Sequence, residues 1–465
     1  VPTEFKVQDL AQLDRERFSA YKSSLDFYNG KQWERTSKNR QLVLNYAKIA
    51  VDKITSYLMN EINYSFVPLP DVKQGKVPAG TLDIAKQAED LIYFVHDQNN
   101  TQELDYTTEI DAAVLGDGCY KVTWDAINKR VRITAPDVNG IYAWWTGDDL
   151  NQTYKVASRY QLSAEEILSL YKKTIQKKTA FITELWTDKE FILYLDNAVI
   201  EKKPNPYGFI PFIIFPNLRK PKQFWGVSDI PALQEPQKEL NRALSQLSRI
   251  LEVSGNPIAV LEGVESSENI SVRPGAVWNI PPDTKAYLLD LLQGGGIRLH
   301  IDYIDLIYRT MHDISEIPRA AFGGVNAQMS GVALQVELQS LLQKVKRKRL
   351  IRTNIYKRRN DMILKLWAKF MRQDFTQVSQ RVLWGQVLPR DKSADAQQEQ
   401  LLVQSGIHSR RTAMDNLGVR DTEIEWKKWL EERQQILEQN NEFKASSTQG
   451  GARERKVAPE MEAPL

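Results

Sequence analysis

Apolar positions recur at helical spacing toward both ends of this chain and alternate, strand-like, in between. Leu25 and Tyr28 follow Arg15 and Arg17, and Asn29-Gly30 supplies a helix stop. Ile49, Ile54, Tyr57 and Leu58 mark a second amphipathic helix, and residues 1–68 read as helical throughout. A Pro/Gly/Lys loop over 69–80 follows. Thr81 is placed as the N-cap of a helix to about residue 98, with another helix over 101–115. After Gly116-Asp117-Gly118 the period drops to two. Strands are predicted at 119–124, 131–134, 141–145, 154–158, 181–187, 190–195 and 209–215, interrupted by a short helix at 164–173. Helices followed by a mostly antiparallel sheet give an α+β class.

The second half is built from struts. Ser228-Asp229 and Pro231 open a helix as a cap and a first-turn proline do, and Leu233, Leu240, Leu244, Leu247 and Leu251 form its stripe up to Ser254-Gly255. Short strands are predicted at 257–261 and 276–280, then a short helix at 285–292 closed by Gly294-Gly295-Gly296. Ile297, Ile301, Ile304, Tyr308 and Met311 define a second strut, which Pro318 breaks. A glycine-bounded loop precedes a helix over about 332–370, and 393–440 holds two or three short amphipathic helices. Ser409 caps one of them and Leu417-Gly418 ends it. Residues 441–465 are rich in Ser, Gly, Ala, Pro and charge and are expected to be disordered.

With 465 residues, 42% hydrophobic and 26% charged, the chain is sized for two to four regions of a soluble globular protein. Apolar runs are strand-sized, too short to span a membrane, and residues 1–18 are polar and mixed in charge, unlike a secretory leader. Cys119 is the single cysteine, which rules out an internal disulfide and fits a buried thiol in a reducing compartment. A net charge of +3 is small for a protein that clamps nucleic acid over its whole surface.

The sequence carries no recognisable catalytic or cofactor motif. The chain has no Gly-x-x-x-x-Gly-Lys-Ser/Thr loop, no Gly-x-Gly-x-x-Gly after a strand and no Gly-x-Ser-x-Gly elbow. His96, His300, His312 and His408 lack metal-ligand spacing. Asp148-Asp149 and Glu165-Glu166 read as a solvated turn and a helix start. Trp144, Trp145, Trp186, Trp225, Trp278 and Trp384 are scattered as packing residues, not arranged as a base-stacking platform. No catalytic residue, metal or cofactor is therefore expected. One charge cluster stands out: Lys344, Lys346, Arg347, Lys348, Arg349, Arg352, Lys357, Arg358 and Arg359, uninterrupted by acid. On a helix these side chains point nearly all round. They read either as a solvated face pairing with neighbouring subunits or as a surface for DNA.

Four stretches carry a likeness. The first is Leu25-Asp26-Phe27-Tyr28-Asn29-Gly30-Lys31-Gln32-Trp33 with Asn45-Tyr46 and Val51-Asp52-Lys53. The second is Trp225-Gly226-Val227-Ser228-Asp229-Ile230 with Gln237-Lys238-Glu239-Leu240-Asn241-Arg242. The third is Ile317-Pro318 to Phe322-Gly323 with Ser330-Gly331-Val332-Ala333-Leu334, and the last is Ser405-Gly406-Ile407-His408-Ser409-Arg410-Arg411-Thr412-Ala413-Met414. In these stretches and their order the chain resembles the portal proteins of tailed double-stranded DNA bacteriophages, of the kind known from Bacillus siphophages.

That resemblance implies a dodecameric ring at one capsid vertex, through which double-stranded DNA is packaged and ejected. It implies a wing (1–225), first stem helix (226–254), clip (255–296), second stem helix (297–317), tunnel loop (318–331), long helix and wing return (332–392) and crown (393–440). The narrowest part of the tunnel would be lined by Phe322, Gly323, Gly324, Val325, Asn326, Ala327, Gln328, Met329 and Ser330. The clip, with Glu262, Glu265, Glu268 and Arg273, would dock a terminase motor and later head-completion or tail adaptor proteins. Major capsid and scaffolding proteins are the other implied partners, with host cytoplasm as the place of assembly. Lys344, Lys346, Arg347, Lys348, Arg349 and Arg352 remain a DNA or inter-subunit surface in this reading. A bore that lets a polyanion slide should avoid persistent Lys/Arg–phosphate contacts. The competing classes are a packaging ATPase or nuclease subunit and a capsid or scaffold protein.

Overall fold

The computed structural model describes residues 5–33, 41–69, 80–255, 258–262, 285–289, 296–323, 331–388, 392–419 and 422–449. The chain divides into two units, residues 1–385 and 386–465.

In the first unit, α1 (Leu10–Leu13) and α2 (Arg15–Tyr28) lead to α3 (Tyr46–Leu58). Asn45 starts α3 by accepting from the Lys48 amide, and the helix buries Ala47, Ala50, Val51, Ile54 and Leu58 on one side. The segment after it, expected to be helical, is instead strand β1 (Ile62–Pro68). Its partner lies more than 300 positions away, so local pattern could not reveal it. α4 (Thr81–Gln98) and α5 (Thr101–Leu115) have the predicted spans. Thr81, however, is the first helical residue; the cap position belongs to Gly80, at φ +83°. 

The β region then runs β2 (Asp117–Asp125), β3 (Arg130–Thr134), β4 (Ile141–Thr146), β5 (Asp149–Ser163), α6 (Ala164–Tyr171), β6 (Thr179–Thr187), β7 (Glu190–Leu195), β8 (Ala198–Pro204) and β9 (Phe212–Pro216). Ser163 and Glu166 close a capping box on α6. β4 to β8 form an antiparallel five-stranded meander, and β2 is the centre of a β3-β2-β9 sheet. The small β10 (Leu218–Arg219) and β11 (Gly226–Val227) pair just before α7 (Pro231–Gly255).

Strand β12 (Ile258–Glu262) pairs antiparallel with β13 (Lys285–Leu289), from Ile258↔Leu289 to Glu262↔Lys285. The helix predicted from residue 285 is thus a strand at its start. Lys-Ala-Tyr-Leu-Leu is too short for periodicity to separate the two forms, and pairing decides. The strand predicted at 276–280 lies outside the described residues. α8 (Gly296–Ser315) follows, then α9 (Gly331–Glu337) and α10 (Gln339–Met371). The single long helix expected here is interrupted at Leu338, where ψ rises to 0°. α10 alone extends roughly 50 Å. Strand β14 (Val378–Trp384) returns to pair with β1, Ile62↔Trp384 through Pro68↔Val378.

α10 runs through the main core. Its Tyr356, Ile363 and Leu366 pack with Ile92 and Val95 of α4, Tyr120 and Val122 of β2, and Ile213 and Phe215 of β9. A second cluster joins Val7 and Leu10 to Tyr142, Ala157 and Leu185 of the meander. In the second unit, α11 (Lys392–Gln404), α12 (Arg410–Asn416) and α13 (Thr422–Gln449) are helical as predicted, but α13 continues nine residues into the stretch expected to be disordered. Ser409 does cap α12, accepting from the Thr412 amide at 3.1 Å, and Leu417 ends it.

Candidate functional site

The basic run of α10 is divided between the interior and the surface. Lys344, Lys348, Arg352 and Arg359 fall at i, i+4, i+8 and i+15, one side of the helix, and all four are buried. Their partners are acids of the same chain. Lys344 Nζ lies 3.0 Å from Asp229 Oδ1, and Lys348 Nζ lies 2.7 Å from Asp229 Oδ2 and donates to Asn217 Oδ1 at 2.6 Å. Arg352 grips Glu109 with both arms, at 2.7 and 2.8 Å, and donates to the Pro216 and Asn217 carbonyls at 2.7 and 3.0 Å. Arg359 holds Asp105 in the same two-armed way and reaches Tyr64 Oη at 3.2 Å. Burial alone would raise the Asp229 carboxyl, but Lys348 and Lys344 hold it well below the usual carboxylate range. Burial pulls Lys348 down while Asp229 and Glu109 push back.

For Lys344, Lys348 and Arg352, then, the expected outward-facing basic surface is corrected to a buried ion-pair ladder. Asp105 and Glu109, one turn apart on α5, and Asp229 supply the counter-charges from 115 to 254 residues away. No scan of the basic run for interrupting acids could find them. Arg349 is partly buried, donating to the Gly385 carbonyl at 2.7 Å under the Trp384 ring. Arg347 meets Glu316 at 2.6 Å on the surface, and Lys346 is exposed.

Two of the motif stretches converge at the root of α7. Gln237 and Asn241, buried on one side of the helix, serve the 42–47 segment as a strand would. Gln237 accepts from Ala47 N at 3.1 Å and donates to the Leu44 carbonyl at 2.7 Å, while Asn241 accepts from Leu44 N at 3.1 Å. Asn241 also donates to Gln32 Oε1 at 2.7 Å, and Gln32 donates to Asn45 at 2.8 Å. The only sequence signal was a pair of amides, four apart, inside an otherwise leucine-rich stripe.

Trp225 to Asp229 meets Gly116-Asp117-Gly118. Gly116 takes φ +108° to end α5, and a Cβ on Gly226 would lie 2.3 Å from its carbonyl oxygen, so this backbone crossing requires glycine at both positions. Ser228 Oγ donates to the Val114 carbonyl at 2.6 Å, satisfying the end of α5. Asp117 accepts from Gly226 N at 2.8 Å and from Tyr21 Oη at 2.5 Å. Burial pushes its carboxyl up to about 6, even though Tyr21, the Gly226 amide, Arg17 and Arg352 all pull it down. The folded value lies above the unfolded one, so this group's stabilisation is full below about pH 4 and is lost as pH rises through about 6. Asp117→Asn should flatten the stability slope between pH 4 and 6 by roughly 2–3 kcal/mol, read from urea unfolding at a series of pH values. An unchanged slope would contradict this assignment.

The two strut helices form an antiparallel pair. Leu240 and Ala243 of α7, with Leu244, close on Ile304, Ile307 and Met311 of α8. At the far end of α8, His312 Nδ1 contacts the Ile317 carbonyl at 2.7 Å, and its ring meets those of Tyr308 and Phe322. Lys344 donates to the Ser315 carbonyl at 3.0 Å, so one buried ammonium ties the end of α8 to the start of α7. Gly323 follows at φ +88°. Gly324, Val325, Asn326, Ala327, Gln328, Met329 and Ser330 lie outside the described residues, as do Glu265, Glu268 and Arg273. Glu262 is exposed at the end of β12, opposite Lys285.

Among the described residues no group of His, Cys, Asp and Glu is placed to hold a metal ion, and no helix is long and apolar enough to cross a membrane. Cys119 is buried, and burial pushes its thiol up. A comparison with curated proteins gives no match. A family model described as "Phage portal protein, SPP1 Gp6-like" matches residues 9–439, from the first helices into α13. The chain belongs to the phage portal protein family.

Proposed function

We propose that this chain is a head–tail connector subunit. Twelve copies, the number the family likeness implies, close into a ring at one capsid vertex, and double-stranded DNA enters and leaves through its bore. The observation that carries this reading is the family match over residues 9–439, which takes in all four motif stretches. The mechanism is mechanical. A polyanion slides best past groups that do not hold phosphate, and the buried pairing of Lys344, Lys348, Arg352 and Arg359 keeps four cations of α10 from acting as such brakes. Phe322 to Ser330 form the tunnel loop, and the glycine at 323 lets the chain leave the Arg319–Phe322 turn at an angle other residues resist.

Residues 255–296, with Glu262, Glu265, Glu268 and Arg273, form the clip. It docks the terminase motor during packaging and adaptor proteins afterwards, while capsid and scaffolding proteins meet the outer wing. The protein works as a virion component without cofactor or catalysis of its own. Negative-stain images of purified protein should show rings with a central hole, and the purified protein should hydrolyse no ATP. Solid monomers at high concentration, or sheets and shells without a perforated ring, would overturn this reading.

A further inference from the structure

A cleft of about 570 Å3 opens where the start of β1, the last turns of α4 and the first turns of α5 meet. That is the size of a small-molecule site. Tyr64, Tyr93 and Tyr106 line it, with Met59 and Ile62 beside them. Each phenol oxygen is already engaged within the chain. Tyr64 Oη accepts from Arg359 at 3.2 Å, Tyr93 Oη donates to the Tyr64 carbonyl at 3.2 Å, and Tyr106 Oη lies 3.2 Å from Ser56 Oγ. The tyrosines therefore present chiefly π surface to a ligand.

The charge of the lining has one sign. Glu61, Asp97 and Asp105 contribute carboxylates, and no lysine or arginine is among the lining residues. Asp105 is neutralised by Arg359. Glu61 and Asp97 are exposed, and neither pairs with a cation among the described residues; Glu61 accepts only from Asn63, at 3.2 Å. His96 adds no charge at neutral pH, because its burial and the nearby Arg359 hold it well below its usual range. The amino end of α5 would favour an anion, but Glu103 already sits in its first turn and accepts from Asn100 at 2.5 Å.

A metal ion would need several oxygens converging on one point, and no such group exists among the described residues. Aromatic walls with separate carboxylates suit an ammonium on an aliphatic stem instead. The ring faces attract the cation, the carboxylates neutralise it, and methylenes lie over the apolar lining. We propose that this cleft binds an aliphatic ammonium cation, supplied either by a free polyamine or by a lysine side chain of another chain. The site uses residues of one chain only and does not depend on the ring reading.

Isothermal titration calorimetry of the full chain with spermidine should show saturable binding at one site per chain. Glu61→Gln/Asp97→Asn changes two exposed side chains and leaves the Arg359–Asp105 pair intact; it should weaken binding about tenfold or more. Glu431→Gln/Glu432→Gln makes the same charge change at exposed positions of α13 and should leave the affinity at the parent's value. Tyr106→Leu should weaken binding with no change of charge. Thermal unfolding of each variant confirms that it is folded. Competition then assigns the source. A short peptide with a single lysine that displaces spermidine assigns the site to a basic side chain, and one that fails to displace it assigns the site to a free amine. Absence of saturable binding, or an affinity that either lining variant leaves at the parent's value, would overturn the proposal.

Discussion

Asp229→Ala is expected to cost about 3–5 kcal/mol, enough to leave much of the protein unfolded or insoluble at physiological temperature. The cost arises from what the substitution leaves behind. Lys344 and Lys348 have side-chain exposures of 6% and 0%, and Asp229 is the acid within 3.0 Å of both. Without it, two ammonium groups remain buried side by side, with Glu109 3.9 Å from one of them. Lys348→Met added to Asp229→Ala should recover part of the loss by removing one stranded charge. Lys346→Ala, two positions away on the exposed side of the same helix, should change stability by less than about 0.5 kcal/mol. Thermal and urea unfolding of the four proteins would check the order, and an Asp229→Ala midpoint matching the parent would sink the argument.

The same node bears on movement. Asp229 stands two residues before α7, Lys344 holds the last turn of α8, and both lysines belong to α10. Sliding the helix pair against α10 would break several buried charge-assisted contacts together. The junction is therefore a fixed base for the helix pair.

The elements that could be read in the sequence are those whose signal is local. The spans of α4 and α5 were legible because caps, periodic apolar residues and glycine stops sit within one or two turns. β1 was not, because its apolar residues follow a helix without a breaker and its hydrogen bonds are completed by β14. β13 was misread as helix because five residues cannot distinguish two periods, and α13 outran its apolar signal. For the site, the motif stretches were found but not their meeting. Gln237 and Asn241 look like surface residues until the 42–47 segment presents its backbone to them. The basic run was the largest misreading. A string of Lys and Arg looks solvated when the carboxylates that neutralise it lie on α5 and before α7, and their approach is a property of tertiary packing.

The two arginine–carboxylate pairs of the ladder should respond differently to the same double replacement. Arg352→Leu and Arg359→Leu each strand a carboxylate, Glu109 or Asp105, that is at most 5% exposed, so each single change should cost about 3–5 kcal/mol. Replacing the acid as well removes the stranded charge. At the outer pair, Arg359→Leu/Asp105→Leu should recover most of the loss. Beyond Asp105, Arg359 donates to Tyr64 and lies over the Tyr120 and Tyr356 rings, and its Nε is buried without a hydrogen-bond partner, so an apolar pair gives up tyrosine contacts but no backbone carbonyl. At the inner pair, Arg352→Leu/Glu109→Leu should recover only part. Arg352 also satisfies the Pro216 and Asn217 carbonyls, and Glu109 lies near Lys348, so the double variant leaves buried carbonyls unpaired at about 1–3 kcal/mol each. Urea unfolding of both cycles gives the coupling energies directly. Equal recovery at the two positions would mean that the carbonyl contacts of Arg352 contribute nothing, and that it does not anchor the β9 end to α10.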